Sequence, residues 1–527
     1  MILGRSIDRN ARLYPERPAI VASDGTALSH ADFRERVWRL ADGLQRHALG
    51  KRSRVGILAR NNVDYLTLYF ACGSIGIVLV PLNFLLKPHD LETRISHAEL
   101  DALFIEGEFL PLVGELSREL QRHLRSRIFG FTRGGGTDRP SIPEIVAMGV
   151  PRAPDVTLSP EDILYIGYTS GTTGPPKGAL ISHRAIVGGY LYKASVYGLT
   201  ADDVTLNAGP FWHSAPRDFA TLAIYLGGTA IIPDKFDPET YLALVERFRV
   251  TNSFVVPTML ERLVSTPSLA SYDTSSLRCL ISGGAPLPTL VKERALTTFG
   301  SALSEFYGAT ETRIVTTISS KDLVTHDRSV GSPIPDVEIR VLDEDGNDVA
   351  PGVVGEVFIR GPGLFSGYWR DAERTRAAHR GEWFTLGDMG RTDERGFLYL
   401  VDRKQDMIVS GGENIFPNDI EECLLRHPGV DEAAVIGSPD DRWGEIVVAY
   451  IVPTDAPSSA EELLAFCGDR LPGYMKPRRI EFCHTLPRSA TGKLLRRDVR
   501  RIDAERAART TSTAGELYEE EAMKMRP

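Results

Sequence analysis

Between Arg54 and Gly283, short apolar runs alternate with stretches of helical spacing, and this alternation restricts the possible folds more than any other feature of the chain. The runs DALFIEG, DILYIGYT, TAIIP, NSFVVP and RCLISGG are separated by a basic helix, a helix from about 183, a helix near 238–249 and another after it. Apolar strands parted by helices form parallel sheets covered on both faces, so the expected class is α/β. Upstream, residues 29–49 place Phe33, Val37, Leu40, Leu44 and Ala48 on one helical face behind Ser29 as cap, and a strand is expected from Arg54 to Ala59. The apolar stretch 65–86 is long enough to raise a membrane span. Gly73, Gly76, Pro81 and Asn83 interrupt it, so it reads as a buried helix followed by a buried strand. From 337 to 402 the texture changes to alternating strands with DEDGND and DERG turns, a small antiparallel sheet. After Asp402 come a helix at 417–427, strands at AAVIG and IVVAYIV, a helix at 459–470 and a strand at RIEFC. The expected organisation is therefore a multi-subdomain body over 1–402, a smaller mobile α+β domain over 403–503 and a loosely ordered tail over 504–527, with GFTRGGGTDRP at 130–140 as a loop.

Charge and cysteine usage narrow the class. With 61 Lys plus Arg against 70 Asp plus Glu, the net charge of -9 leaves no positive excess for coating nucleic acid or an anionic membrane. Five scattered cysteines form neither a disulfide framework nor a CxxC pair. The opening MILGRSIDRNARLYPERP has no apolar h-region, so the expected compartment is the cytoplasm.

The chemistry concentrates in a few strings. Directly after the expected strand DILYIG stands YTSGTTGPPKG, residues 168–178. Thr169, Ser170, Gly171, Thr172, Thr173 and Gly174 offer backbone N–H and hydroxyl donors to phosphate oxygens, and Lys177 adds a point charge. A Walker A loop fails here, because Lys177 follows Pro176 and precedes Gly178. Ser282-Gly283-Gly284-Ala285-Pro286 follows another strand, where small residues let a flat base or acyl group lie against the backbone. In FYGATE, Tyr307, Thr310 and Glu311 supply a π face, a hydroxyl and a hard oxygen ligand. Taken alone, FYGATE reads as an ordinary helix start, Asp388 in WFTLGD as a turn cap, Gly411-Gly412 as a plain turn and Lys493 as a solvated lysine.

In this order, and over nearly the whole chain, the strings resemble the adenylate-forming superfamily: acyl-CoA synthetases, adenylation domains of peptide synthetases and beetle luciferases. The AMP-forming acyl-CoA synthetase branch is the most similar. The resemblance implies that 168–178 is the phosphate-binding loop and that Gly284, Ala285 and Pro286 line the adenine site. It implies that Tyr307, beside Gly308, stacks on adenine, Thr310 meets phosphate and Glu311 holds magnesium. Asp388 is then the acceptor of the ribose hydroxyls, and Arg403 lies near the ribose and α-phosphate. Asp402 becomes the hinge, Gly411 and Gly412 shape the pantetheine tunnel, and Lys493 in LPRSATGK is the adenylation lysine. Phe211, Trp212 and His213 in PFWHSAP, with Gly283 and Gly284, are implied around the acyl group, His213 among the catalytic residues. One position departs: where many relatives carry Lys, this chain has Gln405.

The implied reaction consumes ATP with Mg2+, forms an acyl-adenylate with release of pyrophosphate, and passes the acyl group to coenzyme A after the small domain rotates. Loading of an acyl carrier protein, a stop at the adenylate, and a nonenzymatic nucleotide-binding relative remain as alternatives. The acid is expected to be aryl or medium to long alkyl, in a pocket that also includes Ala185 and Arg313, and the protein a monomer or homodimer. Arg217 reads first as a surface salt-bridge residue, and second, with Arg313, as a contact for another polar group of the acid.

Overall fold

The computed structural model describes residues 1–131, 140–169, 176–456, 458–488 and 494–506. Two parallel sheets form the body. In the first, Leu303–Ala309, Cys279–Gly283, Asn252–Val255, Val204–Leu206, Thr229–Ile232 and Pro18–Ala22 run parallel in that spatial order, with antiparallel strands at both edges. In the second, Ile128–Gly130, Ala102–Ile105, Arg54–Leu58, Val78–Pro81 and Ile163–Thr169 are parallel, and Lys177–Ser182 closes the edge as a hairpin. One large core joins the sheets through the helices His30–Arg46, Val63–Ile75, His183–Tyr197 and Ser214–Leu226.

Local chemistry accounts for these elements. Ser29 caps the helix His30–Arg46 by accepting from the Asp32 N–H, and Phe33, Val37, Leu40 and Leu44 are buried on its inner face. That helix stops before Ala48, which takes a left-handed φ of 59°. The helix Val63–Ile75 is buried from Asp64 to Ile75, so its lack of a polar face reflects packing between layers. Its end is set by Gly76 at φ 75°, a glycine C-cap, and the buried strand Val78–Pro81 follows. Among the described residues no helix is long and apolar enough to cross a membrane.

A five-stranded antiparallel sheet of Glu338–Leu342, Gly355–Arg360, Trp383–Thr392, His379–Arg380 and Leu398–Arg403 follows the body. Residues beyond it build their own sheet, with Gly444–Pro453 at its centre, its long partner Val430–Asp440 along one edge, and apolar cores on both faces. Residues 496–506 are helical, an element absent from the reading of the sequence. The Arg-rich string there hides its anchor: Asp503 is buried and accepts from Ser438 and Tyr450, 2.6 and 2.8 Å away. The chain is thus held past residue 503, where a loose tail is expected, and 507–527 lie outside the described residues. So do 132–139, within the expected loop.

At the amino end of the first sheet, Asp203 ties three strands. It accepts from Arg278 Nη2 at 2.6 Å on each oxygen, from Thr251 Oγ1 at 2.6 Å and from the Thr200 N–H at 2.7 Å. Burial pushes its carboxyl up, but these hydrogen bonds outweigh burial and hold it below the ordinary 3.8. A depressed carboxyl stabilises the fold above its unfolded pKa, and the contribution is lost as pH falls through the folded value. Asp203→Asn is expected to cost about 2 kcal/mol at neutral pH. In melting-temperature measurements the gap to wild type should close as the pH drops below 3.8; a gap independent of pH would contradict this account.

Candidate active site

Three parallel strands end at one place: Ile163–Thr169 at Thr169, Cys279–Gly283 at Gly283 and Leu303–Ala309 at Ala309. The carboxyl ends of parallel strands are where open α/β sheets take their ligands. Thr169 and Lys177 are register partners across the edge hairpin. Ser170, Gly171, Thr172, Thr173 and Gly174, between them in the chain, lie outside the described residues. Thr169 Oγ1 donates to Glu311 Oε1 at 3.3 Å, and the Tyr368 hydroxyl donates to the same oxygen at 3.1 Å. The Phe365 N–H holds the Glu311 carbonyl at 2.8 Å, so both the backbone and the carboxylate of Glu311 are anchored. Burial lowers the pKa of Lys177, with the charge of Arg374 adding to it and Glu311 opposing.

Thr310 and Glu311 stand on a tight turn between Leu303–Ala309 and Arg313–Ser319. The helix start read from FYGATE is therefore overturned: the segment is a strand end and a hairpin turn. Gly308 permits it, because a Cβ there would lie 1.9 Å from the Arg313 carbonyl oxygen. Thr310 Oγ1 lies 3.1 Å from Ser214 Oγ, and Ser214 begins the helix that His213 caps. The ring of His213 packs on Trp212, which meets Phe84 edge-on.

A second line of contacts joins the antiparallel sheet to this place. The Tyr307 hydroxyl donates to Asp388 Oδ2 at 2.6 Å, and Arg403 Nε lies 3.3 Å from Asp388 Oδ1. Asp388 and Arg403 are cross-strand partners, which sets that spacing. Burial and the neighbouring Asp388 carboxylate push the Tyr307 phenol well above its ordinary value.

The other expected residues are distributed differently. Gly283 backs onto Phe306, whose ring would lie 2.7 Å from a Cβ, whereas Gly284, at φ 88°, has only Val256 within 4 Å, at 3.8 Å. Ala285 and Pro286 follow it at the surface. Phe211 is buried edge-on against Tyr65, and Ala185 is buried in the body core. Gly411 and Gly412, at φ 60° and 88°, form a two-residue hairpin turn against Trp443 in the C-terminal sheet. Asp402 is buried, accepts from the N–H groups of Arg403 and Asn418, and sits 3.6 Å from Arg496. Burial raises its pKa, with Arg496 opposing. Arg500 reaches the Gln405 carbonyl at 3.4 Å. Lys493 lies outside the described residues.

Arg217 is a correction. It is 1% exposed, donates to the Phe211 carbonyl and stacks 4.1 Å from the Tyr165 ring. An Arg in the first turn of a helix reads as surface because the tyrosines that enclose it come from remote segments. Tyr368, Ser214 and Asp218 escape the sequence reading for the same reason: no spacing links them to the turn they support.

Among the described residues no three His, Cys, Asp or Glu side chains gather in a group that could hold a metal ion by themselves. Glu311, beside two hydroxyls, is a single hard carboxylate, and such a donor set fits magnesium that takes its other oxygens from phosphates and water.

Residues 7–369 match the family model for AMP-binding enzymes, and residues 419–493 match that for the AMP-binding enzyme C-terminal domain. The chain is 37% identical over 499 residues to a feruloyl-CoA synthase of an Amycolatopsis species, covering 94% of this chain and 97% of the relative. An indoleacetate–CoA ligase of Aromatoleum aromaticum is 35% identical over 510 residues, covering 96% and 98%. The crystal structure of ATP-bound MatB from Rhodopseudomonas palustris superposes with a TM-score of 0.85 at 30% identity, over 95% of this chain and 99% of the other. Strand-end site, motif order and these matches agree: the chain belongs to the AMP-binding enzyme family, in the acyl-CoA synthetase branch of the adenylate-forming superfamily.

Proposed function

We propose that the chain joins a carboxylic acid to coenzyme A in two half-reactions, forming an acyl-adenylate and pyrophosphate from ATP and then a thioester and AMP. The observation that carries this reading is the meeting, at one set of strand ends, of the Thr169–Glu311–Tyr368 cluster with the Tyr307–Asp388–Arg403 line. The first suits a triphosphate and the second a nucleoside.

In this reading Lys177 and the loop before it hold the phosphates, and Thr310 donates to the one under attack. Glu311 is placed to hold magnesium, which when bound neutralises phosphate charge. The Tyr307 ring offers a face to adenine while its hydroxyl orients Asp388; each carboxylate oxygen of Asp388 keeps capacity for a ribose hydroxyl. Arg403 sits toward the α-phosphate. His213, with Trp212, borders the acid's carboxylate. As that carboxylate attacks the α-phosphorus, charge grows on the nonbridging oxygens, and the Lys493 ammonium stabilises it. Residues 403–503 then turn about Asp402 and Arg403, carrying Lys493 away and bringing Gly411 and Gly412 to the thiol's path. The acid itself is read as aryl or medium to long alkyl. All five cysteines are unpaired, four of them buried, which suits a reducing cytoplasm.

With ATP, magnesium and a panel of such acids, the purified protein should release pyrophosphate, and adding coenzyme A should yield a thioester. Absence of both pyrophosphate release and exchange across the panel sinks the proposal. Replacing coenzyme A by a phosphopantetheinylated carrier identifies the acceptor, since only one should be acylated efficiently. Lys493→Ala should slow pyrophosphate release at least ~100-fold while ATP binding, followed by calorimetry, stays intact. Glu311→Gln keeps an acceptor for Tyr368 but removes the charge; turnover should fall by about 100-fold and the magnesium optimum rise. An unaltered magnesium dependence would count against its assigned role.

A further inference from the structure

Beneath the Thr310 turn, three cations and one carboxylate share a buried volume. Arg217, Arg313, Lys193 and Asp218 are all buried. Asp218 Oδ2 lies 2.6 Å from Arg313 Nη1 and 3.7 Å from Lys193 Nζ, and Asp218 Oδ1 lies 3.7 Å from Arg217 Nη2. The cluster carries an excess of two positive charges. Guanidinium groups do not discharge in proteins. Burial brings the Lys193 ammonium down to about 8, which leaves it protonated at neutral pH. Aromatic rings absorb part of this charge: Tyr165 and Tyr69 lie 4.1 and 5.5 Å from the Arg217 guanidinium, and Phe219 and Tyr190 lie 5.3 and 5.7 Å from Lys193. Such contacts return only a fraction of the cost of desolvating a charge.

The hydrogen bonding is incomplete in the same place. Arg217 Nε and Nη2, Arg313 Nε and the Tyr69 hydroxyl are buried without a hydrogen bond, as is Asp218 Oδ1, whose pairing with Arg217 Nη2 is too long to be one. Buried polar groups are rarely left so unless a ligand or water completes them. The guanidiniums that carry these free donors already reach the site described above, Arg313 through the Thr310 carbonyl at 2.7 Å and Arg217 through the Phe211 carbonyl at 3.2 Å. Above the Arg313 guanidinium, Gly189 of the helix His183–Tyr197 lies against the arginine stem, with a Cβ there 3.6 Å from it.

We propose, resting on the ligase reading, that the acid this chain activates is a dicarboxylate. One carboxylate is adenylated near His213 and Thr310, and the other is received by the free edges of Arg217 and Arg313. The second carboxylate supplies what the cluster lacks: a negative charge against the excess of two, and oxygen acceptors for donors that have none, in the forked geometry that guanidinium matches.

Pyrophosphate release by the wild-type protein tests this with pairs of acids that differ only at the far end, aryl and α,ω-dicarboxylates against their monomethyl esters. The diacid of a fitting pair should show a kcat/KM at least ~100-fold above its half-ester, since a site built for a polar group rejects the analogue without it. Arg217→Met keeps the aliphatic stem between the tyrosines and should bring that ratio down tenfold or more. Should the variant not fold, the wild-type ratio still decides. Half-esters used as well as diacids would overturn the dicarboxylate and leave the ligase reading standing. An Arg217→Met protein slowed equally on both would show a merely structural arginine and overturn the assignment. No pyrophosphate with any acid would overturn both readings.

Discussion

The hairpin turn at residues 310–312 is the constraint on which the site depends. It forms only because Gly308 leaves space for the Arg313 carbonyl, and Arg313 itself adopts a left-handed φ of 62° to complete it. From this turn and the residues flanking it five contacts leave in different directions. Glu311 meets Thr169 of the other parallel sheet and Tyr368 of the crossing segment; Thr310 meets Ser214; Arg313 descends to Asp218; and, just before the turn, Tyr307 reaches Asp388 of the antiparallel sheet. Both parallel sheets and the antiparallel sheet are thereby tied to one place. Any disturbance of the turn is felt at every one of these contacts, which makes it a poor place for variation and a good place for chemistry.

Charge is distributed to match. The chain is acidic overall at -9, yet Lys177, which the proposed function assigns to the phosphates, lies close enough to Arg374 and Arg403 to feel both charges. A like-charge neighbourhood of this kind is unfavourable in the empty protein and relieved by a triphosphate. The buried cluster under the turn follows the same logic at the other end of the acid. Elsewhere the positive charges are consumed: Arg496 faces Asp402, Asp406 and Glu421, and Arg328 bridges to Asp419 and Glu422. The Arg328 pair joins the body to the C-terminal unit at an exposed position, where ion pairs contribute little. The proposed rotation would exchange it at small cost, while Arg496 and Asp402 hold the pivot.

Much of the architecture was legible because it is written in local patterns. The alternation from Arg54 to Gly283 marks the parallel strands, the Ser29 cap marks the helix start, and the change of texture at 337 marks the antiparallel sheet. The helix at 496–506 was missed because its anchor, Asp503, is an acidic residue in a run of arginines, and only the packed sheet shows it to be inside.

By itself, then, the sequence determined the α/β class and the inventory of phosphate-, ribose- and magnesium-suited side chains, since strand and helix periodicity and the chemistry of Gly, Thr and Lys strings act over a few neighbouring residues. Tertiary structure alone decided which of them stand together. The Glu311 carboxylate is held by residues 142 and 57 positions away in the chain. Arg217 changes from an expected surface residue to a buried one because Tyr65, Tyr69 and Tyr165 close around it. Burial and charge balance are properties of the assembled packing, and no local spacing encodes them.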